Sequence, residues 1–211
     1  VPPDRPFFDT LTCLAFLAGC TEKIYLGMSV MVLPYRHPLH WAKIATTIDQ
    51  LSTGRLILGV GVGWMEEEFA AMNAPFKERG KVADEQLTLL KQLWNEEHIS
   101  FHGKYYNADD IAFNPKPYQQ PRLPIWVGGE GKYAQRRAGQ YGDAWFPYFV
   151  KITPKDLSAG FENVRAEALL ESTVDNDERG LFWFTQARVL RALGRDPQLV
   201  AKAASDALAA Y

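Results

Sequence analysis

At 211 residues, 47% hydrophobic and 23% charged, the chain is long enough for one good-sized globular domain with a real core. Lys and Arg total 23 against 25 Asp and Glu, a net charge of −2 with no dense basic stretch, which argues against a nucleic-acid partner. No apolar run approaches the roughly 18 residues that span a bilayer, so no membrane segment is read.

Cys13 and Cys20 offer neither a disulfide framework nor a metal-ligand spacing, and a reducing, cytoplasmic setting is expected. No export signal is expected from the first residues given. It opens on Val1-Pro2-Pro3 rather than Met, and an upstream segment is expected.

Along the chain, residues 7–20 repeat apolar side chains at three- and four-residue steps, predicting a helix. Residues 23–33 form a near-continuous apolar run rich in β-branched side chains, predicting a strand buried on both faces, the habit of parallel sheets. Pro38 suits a helix first turn; the helix runs to Leu51 and stops at Ser52-Thr53-Gly54, with Gly54 a left-handed cap. Residues 55–64 predict a second buried strand running into Glu66-Glu67-Glu68, carboxylates that suit a helix N-terminus. A helix over 84–98, a long connection over 99–124, a strand at 125–127, a helix over 132–141, a strand over 143–147 and a helix over 154–168 follow. Beyond Leu169 the rhythm fades. Residues 171–180 read as an acidic linker, 181–184 as a possible strand and 197–210 as an Ala-rich helix.

This alternation indicates βα units and a parallel sheet, either open and doubly wound or closed as a (β/α)8 barrel, the barrel being the better fit. Each strand ends in a Gly- or Pro-containing loop, the kind of rim on which barrel enzymes build their sites.

Several segments could carry chemistry. Gly59-Val60-Gly61-Val62-Gly63-Trp64 places glycines at a strand end, where the backbone can approach a ligand or where small residues simply relieve crowding; the spacing is not the dinucleotide fingerprint. Gly128-Gly129-Glu130-Gly131-Lys132 joins a strand to a helix and suits either a phosphate or a plain tight turn. Among four histidines, His37 sits in a rim loop where barrels place working residues. Arg79 and Glu85 bracket a helix start and are expected to form a fixed structural pair. No Ser-His-Asp order, GxSxG or Walker motif supports a hydrolase or kinase.

Taken in order, Leu33-Pro34-Tyr35-Arg36-His37-Pro38, Asp49-Gln50-Leu51-Ser52-Thr53-Gly54-Arg55, Leu58-Gly59-Val60-Gly61-Val62-Gly63-Trp64, Phe76-Lys77-Glu78-Arg79-Gly80, Phe113-Asn114-Pro115-Lys116-Pro117, Pro124-Ile125-Trp126-Val127-Gly128-Gly129 and Gly142-Asp143-Ala144-Trp145 resemble the bacterial luciferase-like monooxygenases. The resemblance implies a (β/α)8 barrel binding FMN or coenzyme F-420 at its C-terminal rim. It implies an oxidoreductase or monooxygenase acting on a small organic substrate; a homodimer is expected separately, since an open barrel edge exposes unpaired strand groups that pairing would cover. The family's first two strands would lie upstream of Phe7 and its last two are not evident after Phe149, so an incomplete barrel is expected. Residues 1–170 would form the barrel portion, with 171–211 the linker and C-terminal helical segment of the same domain.

The resemblance also assigns residues. Met28, Ser29 and Val30 match a backbone bulge, often a non-prolyl cis peptide, that backs the flavin ring. Gly61 and Gly63 line the cofactor, Gly128, Gly129, Glu130 and Gly131 receive its phosphate, and His37 and Trp64 face the reacting centre. Two departures stand out: Gly131 occupies a position where the family often has Ser or Thr, and Trp64 replaces a Glu used by some deazaflavin dehydrogenases, which disfavours sugar dehydrogenation. The alternative from a different class is a non-catalytic flavin-binding or assembly subunit, or an inactive partial barrel that dimerises.

Overall fold

The computed structural model describes residues 6–148 and 152–171. The chain divides into two compact units, Val1–Ile125 and Trp126–Tyr211.

In the first unit, α1 (Thr10–Cys20) begins three residues later than the periodicity predicts, because Asp9 is its N-cap. The Asp9 carboxylate accepts from the Thr12 N–H and the Thr12 hydroxyl, both at 2.9 Å, satisfying a donor left open at a helix start. Leu11, Leu14 and Ala18 form the buried face of α1, which packs against α2 (Pro38–Leu51). The far end of α1 is tied down by Arg55, 8% exposed, whose guanidinium donates to the carbonyls of Ala18 (3.0 Å), Thr21 (2.7 Å) and Ile24 (3.0 Å). Pro38 opens α2 and Gly54, at φ +81°, follows its end as expected.

The single strand expected over 23–33 is instead two short ones, β1 (Leu26–Gly27) and β2 (Met31–Val32). Both pair in parallel with β3 (Leu56–Gly61): Leu26 and Gly27 lie opposite Leu56 and Ile57, and Met31 and Val32 opposite Val60 and Gly61. Three residues, 28–30, therefore face only two, Leu58 and Gly59. That is a one-residue bulge, which hydrophobicity alone does not reveal. The Ser29–Val30 peptide inside it is cis. Leu56, Leu58 and Val60 of β3 are fully buried.

After α3 (Glu66–Ala71), α4 (Arg79–Asn95) begins five residues before the expected Asp84, since Val82 and Ala83 already belong to its buried face. The stretch read as a connection contains an antiparallel hairpin, β4 (His98–His102) and β5 (Asn107–Ala112).

β6 (Ile125–Gly128), all but its first residue in the second unit, pairs in parallel with β7 (Ala144–Phe146), Trp126 opposite Ala144 and Gly128 opposite Phe146. α5 (Lys132–Tyr141) keeps its predicted bounds, and α6 (Pro154–Glu171) packs closely on it. Gly139 permits that approach: a Cβ there would lie 2.6 Å from the Glu167 Cβ and 2.7 Å from the Val164 carbonyl oxygen. The linker, strand and helix expected after residue 171 lie outside the described residues.

Candidate functional site

Parallel pairing of β2 with β3 sends both chains out at the same edge, so the loops following Val32 and Gly61 leave side by side. The first loop passes through a 3-10 turn (Leu33–Tyr35) to His37, and the second through Gly63 to Trp64.

The glycines of β3 match the bulge side chain by side chain. A Cβ on Gly59 would collide with the Met28 carbonyl oxygen, and one on Gly61 would sit 2.5 Å from Val30 Cγ2. Gly63 has φ +75°, and a Cβ there would lie 2.7 Å from Phe69 Cε2 and 2.8 Å from Val32 Cγ1. These positions are small because the bulged strand and the Phe69 ring occupy the space beside them, the crowding-relief reading of the motif. Met28 is buried, whereas Ser29 is exposed. Val30 is 37% and Trp64 78% exposed, leaving an apolar surface at this edge.

His37 is the N-cap of α2, and its Nδ1 accepts from the Leu39 N–H at 3.2 Å. That bond assigns the proton of the neutral ring to Nε2, which becomes a donor. Burial, with His40 a turn away adding repulsion, pushes the His37 pKa below its usual 6.5. The ring stands edge-on to Tyr106, with centroids 5.1 Å apart at 88°.

Arg79 does not pair with Glu85. Its guanidinium donates to the carbonyls of Gly63 (3.2 Å) and Phe76 (2.9 Å), and it lies over the Phe76 ring at 4.0 Å, bracing the loop before Trp64. Glu85 instead accepts from three backbone N–H groups of the β4–β5 turn: Lys104 (2.9 Å), Tyr105 (2.8 Å) and Tyr106 (2.8 Å). Tyr106 and the actual roles of Glu85 and Arg79 escape sequence reading: Glu85 and Tyr106 meet only through a hairpin that has no clear alternation of its own, and Arg79 bonds backbone carbonyls that no motif announces.

Motifs that look functional by resemblance also carry structure. Asp49, fully buried, accepts from the Gln119 backbone N–H (3.0 Å) and side-chain amide (2.8 Å). Lys116 donates to the Leu93 carbonyl at 2.9 Å and also to that of Glu96.

In the second unit, Gly128 ends β6, Gly129 has φ +111°, and Gly131 is the N-cap of α5. Trp145 Nε1 donates to the Gly129 carbonyl at 2.7 Å. The Glu130 carboxylate accepts from the Tyr148 N–H at 2.9 Å, and its carbonyl accepts from Gln135 Nε2 at 3.0 Å. These bonds fix the loop from behind. No side chain caps α5, and a Cβ on Gly131 would meet nothing within 4 Å. The Ala134 N–H of this ten-residue helix donates to the Gly131 carbonyl at 2.8 Å, while no side chain caps the N–H groups of Lys132 and Tyr133, a suitable receiver for phosphate.

Taken separately, the exposed apolar side chains at the β2/β3 edge suit a planar ring, and the uncapped α5 N-terminus suits a phosphate, both of which a flavin-type group carries. Among the described residues no cluster of His, Cys, Asp or Glu could hold a metal, and no helix is long and apolar enough to cross a membrane.

Comparison with known proteins agrees with this architecture. A monooxygenase (RslO1) from Streptomyces bottropensis superposes with a TM-score of 0.70 at 23% identity, covering 77% of this chain and 50% of that one. The coenzyme F420-dependent tetrahydromethanopterin reductase of Methanopyrus kandleri gives 0.68 at 24% identity, covering 81% and 52%. The fold is that of the luciferase-like α/β barrels, of which the described residues form an unclosed part. The model of the luciferase-like monooxygenases matches residues 2–173, and the chain belongs to that family. An FMNH(2)-dependent dimethylsulfone monooxygenase of Pseudomonas putida is 31% identical over 163 residues, 76% of this chain and 44% of that protein. An F420-dependent hydroxymycolic acid dehydrogenase of Mycobacterium tuberculosis is 34% identical over 157 residues, 73% of this chain and 43% of that protein. The chain spans a little under half the length of these relatives.

Proposed function

We propose that the chain supplies the cofactor-binding part of an oxidoreductase that uses reduced FMN or coenzyme F-420 on a small organic substrate. Family membership, together with the fixed, uncapped Gly128-Gly129-Glu130-Gly131 loop ahead of α5, carries this reading. When bound, a reduced flavin supplies electrons for oxygen insertion, and F-420 supplies a hydride.

In this reading the backbone of the loop and of the α5 first turn holds the phosphate, with the helix dipole aiding the negative charge. Met28, Ser29 and Val30 back the ring, and the strand end at Gly61 and Gly63 borders it. Trp64 offers an exposed apolar surface beside it. His37, neutral near pH 7, offers its Nε2–H as a hydrogen-bond donor to an oxygen on the substrate; its Nδ1 is committed to capping α2, so it is not a free base.

A homodimer belongs to the same reading, supported by the exposed Phe16 and Leu17 on the charge-free α1. Titration of the purified chain with FMN and, separately, with F-420, followed by cofactor fluorescence, tests the function. Saturable binding of one supports it; binding of neither by folded protein removes it in favour of a non-binding role.

A further inference from the structure

The turn of the β4–β5 hairpin is held unusually firmly. One carboxylate, Glu85 on α4, accepts from three successive backbone N–H groups, and Gly103 is small because a Cβ there would run into that carboxylate. A charged acceptor shared by adjacent amides fixes a turn far better than a neutral contact does. The third of those amides belongs to Tyr106. Its hydroxyl accepts from Gln86 Nε2 at 2.7 Å, and the same amide donates to the Arg36 carbonyl at 2.8 Å, immediately before His37 in the chain. Backbone and side chain of Tyr106 are thus both anchored to α4, and its ring meets the imidazole of His37 edge-on at 5.1 Å.

We infer that Tyr106, anchored through Glu85 and Gln86, is the positioning residue that sets the orientation of the His37 imidazole. Its functional importance rests on the role proposed above for His37. The contact itself does not.

His37 has one fixed point, the Nδ1 bond to Leu39, about which the ring can still tilt. The Tyr106 ring removes that freedom and aims the Nε2–H. The other titratable or charged groups near His37 are His40 on α2, Arg36 before it in the loop and, behind Tyr106, Glu85 on α4. Arg36 is already paired with Asp9 at 2.8 Å.

The test is an NMR titration of the full chain observing the imidazole C–H signals, with His37 assigned by its own substitution. Tyr106→Phe retains the ring, and the His37 titration and chemical shifts are expected to stay close to wild type. Tyr106→Ala removes it: the His37 pKa is expected to rise towards 6.5, with displaced imidazole shifts. Glu85→Gln leaves Tyr106 in the sequence but loosens its turn, and is expected to move the His37 signals the same way. It also serves if Tyr106→Ala fails to fold. A folded Tyr106→Ala protein with His37 unchanged would overturn the inference, and so would Tyr106→Phe behaving like Tyr106→Ala. Cofactor titration of the same proteins separates the two ideas. If wild type binds neither FMN nor F-420 while Tyr106→Ala still moves His37, the proposed function falls and the positioning stands. If wild type binds and Tyr106→Ala leaves His37 unmoved, the reverse holds.

Discussion

Gly59 and Gly61 lie two apart on β3 and present the same face to the bulged segment, yet they differ in what an added methyl would strike. At Gly59 it strikes a backbone atom, the Met28 carbonyl oxygen, which cannot rotate away. At Gly61 it strikes Val30 Cγ2 at 2.5 Å, and Val30 is 37% exposed with room to give. Overpacking of a close-packed site costs about 1–3 kcal/mol, with the upper end reserved for clashes that force the backbone to move. Gly59→Ala is therefore expected to lose about 3 kcal/mol or more and Gly61→Ala about 1 kcal/mol. At about 2–4 °C per kcal/mol for a chain of this size, the losses in Tm are about 6–12 °C and about 2–4 °C respectively. Thermal unfolding followed by circular dichroism measures both. Val30→Ala removes the atom that Gly61→Ala strikes, so the double variant should recover most of the loss, whereas Val30→Ala should do nothing for Gly59→Ala. Equal losses at the two glycines, or rescue of Gly59→Ala by Val30→Ala, would refute the packing argument.

Glu85→Gln replaces one of two acceptor oxygens with a donor facing backbone N–H groups. A loss of about 2 kcal/mol is expected, together with faster hydrogen exchange at amides 104–106. The His37 pKa is lowered in the folded chain, so its contribution to stability is present above about 6.5 and lost as pH falls through the folded value. His37→Asn, which keeps a capping acceptor, should flatten that part of the pH–Tm profile. The Asp9 carboxyl is held at about 2, chiefly by its hydrogen bond from Arg36, so its contribution is present above 3.8 and fades only as pH falls towards 2; Asp9→Ala should remove it and cost about 1 kcal/mol through the lost α1 cap. Gly131→Ser fills open space with a capping hydroxyl and should raise stability by a few tenths of a kcal/mol while tightening cofactor binding, measured by thermal melts and fluorescence titration.

Much of the fold was legible where local chemistry decides it. Pro38 and the Gly54 stop bounded α2, and the helix read over 132–141 matches α5 to the residue. The chain order of apolar runs and glycine-rich strand ends identified the family, and the cis peptide stands between Ser29 and Val30, within the segment the resemblance singled out. Other features were hidden because they depend on partners distant in sequence. The apolar run over 23–33 looks continuous, and only its register against β3 exposes the extra residue. The Asn107-Ala108-Asp109-Asp110 stretch is too polar to announce a strand, and its hairpin is anchored by Glu85 some twenty residues upstream. Arg79 and Glu85 were expected to satisfy each other, but each found backbone groups that offered more bonds. Arg55 similarly reads as the first residue of a strand, while its side chain collects the carbonyls at the end of α1.

The claim that the residue 128–131 loop receives a cofactor phosphate is tested most directly by Gly131→Glu. The side chain enters open space at a helix N-terminus, where a carboxylate is compatible with folding but repels a second anion. Wild type and variant are titrated with FMN and with riboflavin, which carries the same ring without the phosphate, or with F-420 and its phosphate-free chromophore. The account predicts that the variant weakens binding of the phosphorylated ligand by about tenfold or more and leaves the phosphate-free ligand unchanged. Equal binding of the phosphorylated ligand by both proteins, or an equal loss for both ligands, would contradict it.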